Sequence, residues 1–124
     1  MTGFPVSSLG SSIGTVVEGV DLSQSVSDNC YAGLLNAIAE HKMLVFRGAP
    51  LAVSEFHTFA RGFGPLQEDV LRKYRHVEFS DLVWLTDVAE DGSVDASGNT
   101  RATTWHSDGS CTQDLRERGI LHAY

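Results

Sequence analysis

His106-Ser107-Asp108 is the tripeptide in this sequence best equipped for chemistry. On a β-strand successive side chains point to opposite faces, so His106 and Asp108 would project together, a few ångströms apart, with Ser107 on the other side. An imidazole and a carboxylate offered to one point are two of the three ligands in the facial triad that holds non-haem Fe(II) and leaves three coordination positions open. The competing reading is a hydrogen-bonded structural pair. Trp105 precedes the motif and faces the opposite way from His106, which suits an indole packed behind a site rather than in it. A second concentration of functional side chains is the basic run Arg72-Lys73-Tyr74-Arg75-His76.

The elements that must position these residues can be read from periodicity. Ile13–Val20 is rich in β-branched residues and bounded by glycine, which favours a strand. Ser25, Ser27 and Asp28 offer N-cap oxygens ahead of Tyr31, Leu34, Leu35 and Ile38, one apolar stripe of a helix reaching Glu40. Met43–Phe46 reads as a short strand buried on both faces. A second helix, capped by Ser54, carries Phe56, Phe59, Ala60 and Phe63, and Gly62-Phe63-Gly64-Pro65 ends it. The order is strand, helix, strand, helix, and the two stripes are core packing. Later strands are predicted at Asp81–Val88, Thr103–Asp108 and Ile120–Tyr124, with a polar loop over 89–100. The class is α+β. No repeat or linker divides residues 1–124, and ending within a predicted strand makes the sequence read as part of a longer domain.

The composition narrows the function classes. The 124 residues are 42% hydrophobic and 20% charged, as in globular domains. A formal net charge of -7 would repel a phosphate backbone, which argues against a nucleic-acid partner. No apolar run approaches the roughly 20 residues of a membrane span, and Met1–Gly14 lacks the pattern of a secretory signal, so a cytoplasmic location is expected. Cys30 and Cys111 match no metal or redox spacing and read as reduced thiols.

Four segments together resemble the TauD/TfdA family of Fe(II)- and 2-oxoglutarate-dependent dioxygenases: Gly19-Val-Asp-Leu22, Met43-Leu-Val-Phe-Arg-Gly48, Phe59-Ala-Arg-Gly-Phe-Gly-Pro-Leu66 and Trp105-His-Ser-Asp108. They stand in the family's order at compatible separations and cover nearly all of Ile13–Tyr124. The Phe-Arg-Gly and Trp-His-Ser-Asp forms resemble the aryloxyacetate-degrading branch more than the taurine branch. Where taurine enzymes place a His and an Asn, this sequence has Gln67-Glu68-Asp69 and Ala102-Thr103-Thr104.

The resemblance implies a double-stranded β-helix, or jelly roll, with flanking helices, its barrel incomplete within these residues. It implies His106 and Asp108 as iron ligands, 2-oxoglutarate as co-substrate and O2 as oxidant, with oxidative decarboxylation to succinate driving hydroxylation or oxidative cleavage of a small organic substrate. The family's second His and its 2-oxoglutarate-binding Arg have no counterpart here. His122 stands too close to the first pair to be assigned as that ligand. The loop after Phe63-Gly64 borders the substrate pocket in the family, so Arg72, Lys73 and Arg75 suggest a seat for an anionic substrate group. Gly109 and Cys111 depart from the commoner residues after the motif. Two other readings stand beside this one: a truncated relative serving as a binding module without turnover, and a cupin-type enzyme using another metal. Strand edges left unpaired in the short sequence invite association, so a homo-oligomer is compatible with it.

Overall fold

The β-branched run after Gly14 does form a strand, but a short one. The computed structural model describes residues 4–10, 12–68, 72–86, 88, 92–94, 104–106 and 119–123. They divide into two compact units, Met1–Pro65 with His122–Tyr124, and Leu66–Leu121.

In the first unit β1 (Val6–Ser8), β2 (Thr15–Val17) and β3 (Leu44–Phe46) make one sheet in that order. β1 pairs antiparallel with β2, Val6 opposite Val17, while β2 pairs parallel with β3, Thr15 opposite Leu44 and Val17 opposite Phe46. Parallel neighbours need a crossover connection, and α1 (Asp28–His41) supplies it. The Ser27 hydroxyl caps α1 by accepting the Cys30 N–H at 3.3 Å. At the other end Lys42 adopts a left-handed conformation, φ 68°, and donates its N–H to the Ile38 carbonyl at 2.8 Å. Gly14 N–H then bonds the His41 carbonyl at 2.9 Å, fastening the helix end to the start of β2.

Three expectations need correction here. β1 was not foreseen, because Val6-Ser-Ser carries no periodicity beyond its one apolar residue. β3 is half-buried rather than covered on both faces, since β2 is its only sheet neighbour among the described residues. α2 (Val53–Arg61) starts before Ser54, and its N-cap is Ala52, which has no side-chain oxygen. Glu55 does the capping by reaching back to the Ala52 N–H at 2.7 Å.

The core centres on Val17, Leu34 and Phe59, all buried, with Leu44, Phe46, Tyr31 and Phe63 packed around them. On α1 the buried positions are Gly33, Leu34 and Ala37, so two small residues let the helix approach closely where the sequence pattern suggested Leu35 and Ile38. Phe59 meets Phe46 and Phe63 edge-on, at 5.5 and 5.3 Å between centroids, and stacks on Tyr31 at 5.9 Å. The Tyr31 hydroxyl donates to the Phe59 carbonyl at 3.0 Å, and its ring lies over Gly62. Burial, and then the neighbouring Cys30, push the Tyr31 phenol above its ordinary value.

The second unit is less regular. The strand expected over Asp81–Val88 reduces to single bridges, Arg75 with Val83 and Val88 with Val94. Leu85 and Val77 are exposed, so the alternating apolar residues there cover no sheet face. The described residues 104–106 and 120–123 likewise carry no strand. No jelly-roll barrel closes among the described residues: the sheet has three strands. No helix among them is long and apolar enough to cross a membrane.

A Cβ at Gly62 would lie 1.9 Å from Cζ of Tyr31, although the backbone there, φ -64°, suits any residue. Gly62→Ala should therefore cost about 1–3 kcal/mol by overpacking. In a Tyr31→Ala background the same substitution should cost almost nothing. Urea denaturation of the four variants measures this, and an equal cost in both backgrounds would contradict the packing described.

Candidate functional site

His106 is exposed, and its Nδ1 lies 2.8 Å from the Thr104 carbonyl oxygen. A carbonyl can only accept, so in the neutral ring Nδ1 carries the proton and Nε2 the lone pair. An imidazole oriented by donating one N–H to a backbone carbonyl, with the other nitrogen as base, is the form in which histidine usually binds a metal. The donor type and tautomer thus fit a transition-metal ion. Asp108 and Ser107 lie outside the described residues, as do Gly109 and Cys111. Among the described residues no three His, Cys, Asp or Glu side chains gather at a metal-binding geometry. Trp105 does not pack behind a strand as expected. It is fully exposed, and the segment 104–106 that carries it has no strand partner among the described residues.

The basic run folds into a single turn of 3-10 helix, Arg72–Tyr74, followed by Arg75 in its bridge to Val83. The Arg75 N–H bonds the Arg72 carbonyl at 3.3 Å, and Trp84 N–H bonds the Tyr74 carbonyl at 2.8 Å. Arg72 is exposed, and Lys73 contributes its backbone to the turn. Arg75 differs from Arg72 in its surroundings. Its side chain is only 19% exposed, and Nη1 meets the Glu68 carboxylate at 2.8 Å. The other Glu68 oxygen accepts the Ser80 hydroxyl at 2.7 Å. The Ser80 hydrogen bond chiefly, then the Arg75 charge, hold the Glu68 carboxyl below its usual range, with the Arg72 charge adding the least.

His76 completes this loop. Its Nδ1 accepts the backbone N–H groups of Glu78 at 3.1 Å and Phe79 at 3.3 Å, so the ring proton sits on Nε2. The ring stacks on Phe79 at 5.4 Å and tilts against Trp84 at 5.5 Å. This histidine therefore organises the turn that follows the cations. His122, in the first unit, also has a packing role: Nε2 accepts the Leu51 N–H at 3.1 Å and the ring meets Phe56 at 5.3 Å.

Glu68 and Ser80 were not foreseen, because residues seven before and five after Arg75 in an aperiodic loop show no pattern in sequence. An open depression of about 450 Å³ at the start of α1, lined in part by Val20, Asp21, Ser27 and Cys30, contains none of the residues assigned to metal or anion.

Residues 5–124 match the family described as "Taurine catabolism dioxygenase TauD, TfdA family", and the chain belongs to it. Among curated proteins it is similar to alpha-ketoglutarate-dependent 2,4-dichlorophenoxyacetate dioxygenase of Cupriavidus pinatubonensis, 29% identical over 119 residues, covering 86% of this chain and 40% of that protein. It is also similar to pentalenolactone F synthase of Streptomyces avermitilis, 29% identical over 116 residues, covering 92% of this chain and 38% of that protein. Two crystal structures from Burkholderia xenovorans resemble it at 29% identity. One is of a candidate alpha-ketoglutarate-dependent taurine dioxygenase, with TM-score 0.54 over 61% of this chain and 27% of that one. The other is of a candidate alpha-ketoglutarate-dependent 2,4-D dioxygenase, with TM-score 0.52 over 58% and 28%. The chain spans about two-fifths of the length of the curated relatives.

Because the Glu68 carboxyl is held low, its pairing contributes above the ordinary carboxylate range and is lost as pH falls through the depressed value. Ser80→Ala and Arg75→Gln should each bring the Glu68 titration back up toward the ordinary value. Carbon-detected NMR of the Glu68 carboxyl reads both, and a titration that either substitution leaves unmoved would contradict the contact assigned to it.

Proposed function

We propose that these residues form the N-terminal part of a single dioxygenase domain, dependent on Fe(II) and 2-oxoglutarate, which hydroxylates or oxidatively cleaves a small anionic substrate. The observation that carries this is the family match over residues 5–124, within which His106 and Asp108 stand in the Trp-His-Ser-Asp motif. Relatives named for their dependence on alpha-ketoglutarate support the co-substrate. The jelly roll is part of the same proposal, its barrel completed by sequence beyond the two-fifths that this chain represents.

In this reading His106 Nε2 and the Asp108 carboxylate hold Fe(II), one neutral nitrogen and one anionic oxygen, with a third ligand and the 2-oxoglutarate-binding Arg supplied from outside these 124 residues. The bound metal with its co-substrate supplies the oxidising power, and the protein supplies position. The Thr104 carbonyl orients the His106 ring by accepting its Nδ1–H, so that in the neutral ring the lone pair is on Nε2. The loop cations Arg72, Lys73 and Arg75 give an otherwise acidic protein a place where an anionic group gains charge-assisted hydrogen bonds.

Succinate formation tests the proposal, measured on the whole enzyme with Fe(II), ascorbate and 2-oxoglutarate. His106→Ala and Asp108→Ala should abolish the Fe(II)-dependent reaction, while Ser107→Ala, which removes no ligand in this reading, should stay within a few-fold of the parent. Equal loss in all three would mean that the segment matters to folding and not to coordination.

A further inference from the structure

β1 is the outermost strand of its sheet, and its bonds to β2 tell which of its backbone groups face outward. In an antiparallel pair, residues that bond the neighbouring strand alternate with residues whose N–H and C=O point away from it. The Glu18 N–H bonds the Pro5 carbonyl at 3.0 Å and the Leu9 N–H bonds the Gly14 carbonyl at 3.2 Å, both in the register that sets Ser7 opposite Val16. Pro5, Ser7 and Leu9 therefore face β2. Val6 and Ser8 turn their backbone N–H and C=O outward, and no strand pairs with that edge among the described residues. A proline can blunt an edge, but the N–H that Pro5 lacks is on the β2 side. No residue from Phe4 to Gly10 is charged, so the strand has none of the lysines or other charges that guard exposed edges.

We infer that β1 pairs edge to edge with β1 of a second copy of this chain, antiparallel and centred on Ser7. The occupant follows from the symmetry of the strand. A two-fold axis at Ser7 sets Val6 opposite Ser8 of the other copy, so outward groups meet outward groups and all four N–H and C=O pairs close. A register shifted by one residue would set Val6 opposite Ser7, whose ladder groups are already engaged by β2. The side chains agree with the two-fold register. Val6 shares a face with Val17, which is buried in the core, yet Val6 is itself 39% exposed. The axis brings the two Val6 side chains diagonally together on that face. Glu18 opposes the pairing: its Oε1 accepts the Ser7 hydroxyl at 3.2 Å, so two carboxylates are drawn toward one axis. So short a ladder buries less than the roughly 1,200 Å² of a stable interface, and the pair dissociates on dilution.

Sedimentation velocity of the whole enzyme, run over a series of concentrations from micromolar upward, should show monomer and dimer in exchange. Val6→Lys, which places a like charge on each side of the axis, should raise the dissociation constant about tenfold while circular dichroism stays that of the parent. Glu18→Gln should lower it, and most at low salt. Ser7→Cys reads the register independently of stability. Under mild oxidation, mass spectrometry should find position 7 of one copy joined to position 7 of the other, because residues of a pair without ladder bonds lie closest. Val6→Cys, which faces Ser8 of the other copy, should link to itself several-fold more slowly. A monomer at every concentration, or a dimer that Val6→Lys leaves intact, would overturn the inference. So would a disulfide from position 7 to another segment of the same copy, which would show that the edge is covered within one molecule.

Discussion

The ring of Phe59 is the contact on which the first unit depends. It stands on α2, touches Phe46 of β3, Tyr31 of α1 and Phe63 beyond the helix end, and shares the buried centre with Leu34 and Val17. One side chain thus ties both helices to the parallel strand pair. An aromatic ring of this size buries enough apolar area to contribute several kcal/mol, and its edge-on contacts fix orientation as well as distance. Gly62 and the Tyr31 hydroxyl follow from it: the hydroxyl takes the Phe59 carbonyl, and only a residue without Cβ leaves room for the ring that brings it there.

Electrostatics takes a larger part in the second unit, where His76 packs with Phe79 and Trp84. Among its described residues the backbone pairs only in isolated bridges, and side chains add fastening. Glu68 serves two partners with its two oxygens, and His76 accepts two backbone amides on one nitrogen. In both cases a polar side chain spends its hydrogen-bonding capacity on holding a turn. The Nδ1–H of His106 is spent in the same way, on the Thr104 carbonyl.

What was legible in the sequence followed the strength of the period. The α1 stripe with its Ser27 cap and the Phe56, Phe59, Ala60 and Phe63 repeat are each set by contacts three and four residues apart, and they were read to within a residue or two. The cap of α2 misled, because Ser54 is the right type in the wrong place and Glu55 does the work from inside the helix. Leu82-Val-Trp-Leu85 has strand composition, yet a strand needs a neighbour, and its pairing in this unit stops at Val83. Trp105 misled for the same reason. The His-x-Asp motif was legible as chemistry through its residue types and through its place in a family pattern. The Glu68 and Ser80 clamp was not, because it joins loop positions that no spacing rule relates.

The central claim is that His106 binds the catalytic metal through Nε2 while Nδ1–H stays on the Thr104 carbonyl. Proton NMR of the whole enzyme loaded with Co(II) as a paramagnetic probe tests it most directly, with the ring nitrogens of histidine labelled. The account predicts one exchangeable, strongly shifted Nδ1–H resonance that disappears in His106→Ala and persists in His76→Gln and His122→Gln. A shifted spectrum left intact by His106→Ala, or a His106 ring whose signals do not move when the metal is added, would contradict it.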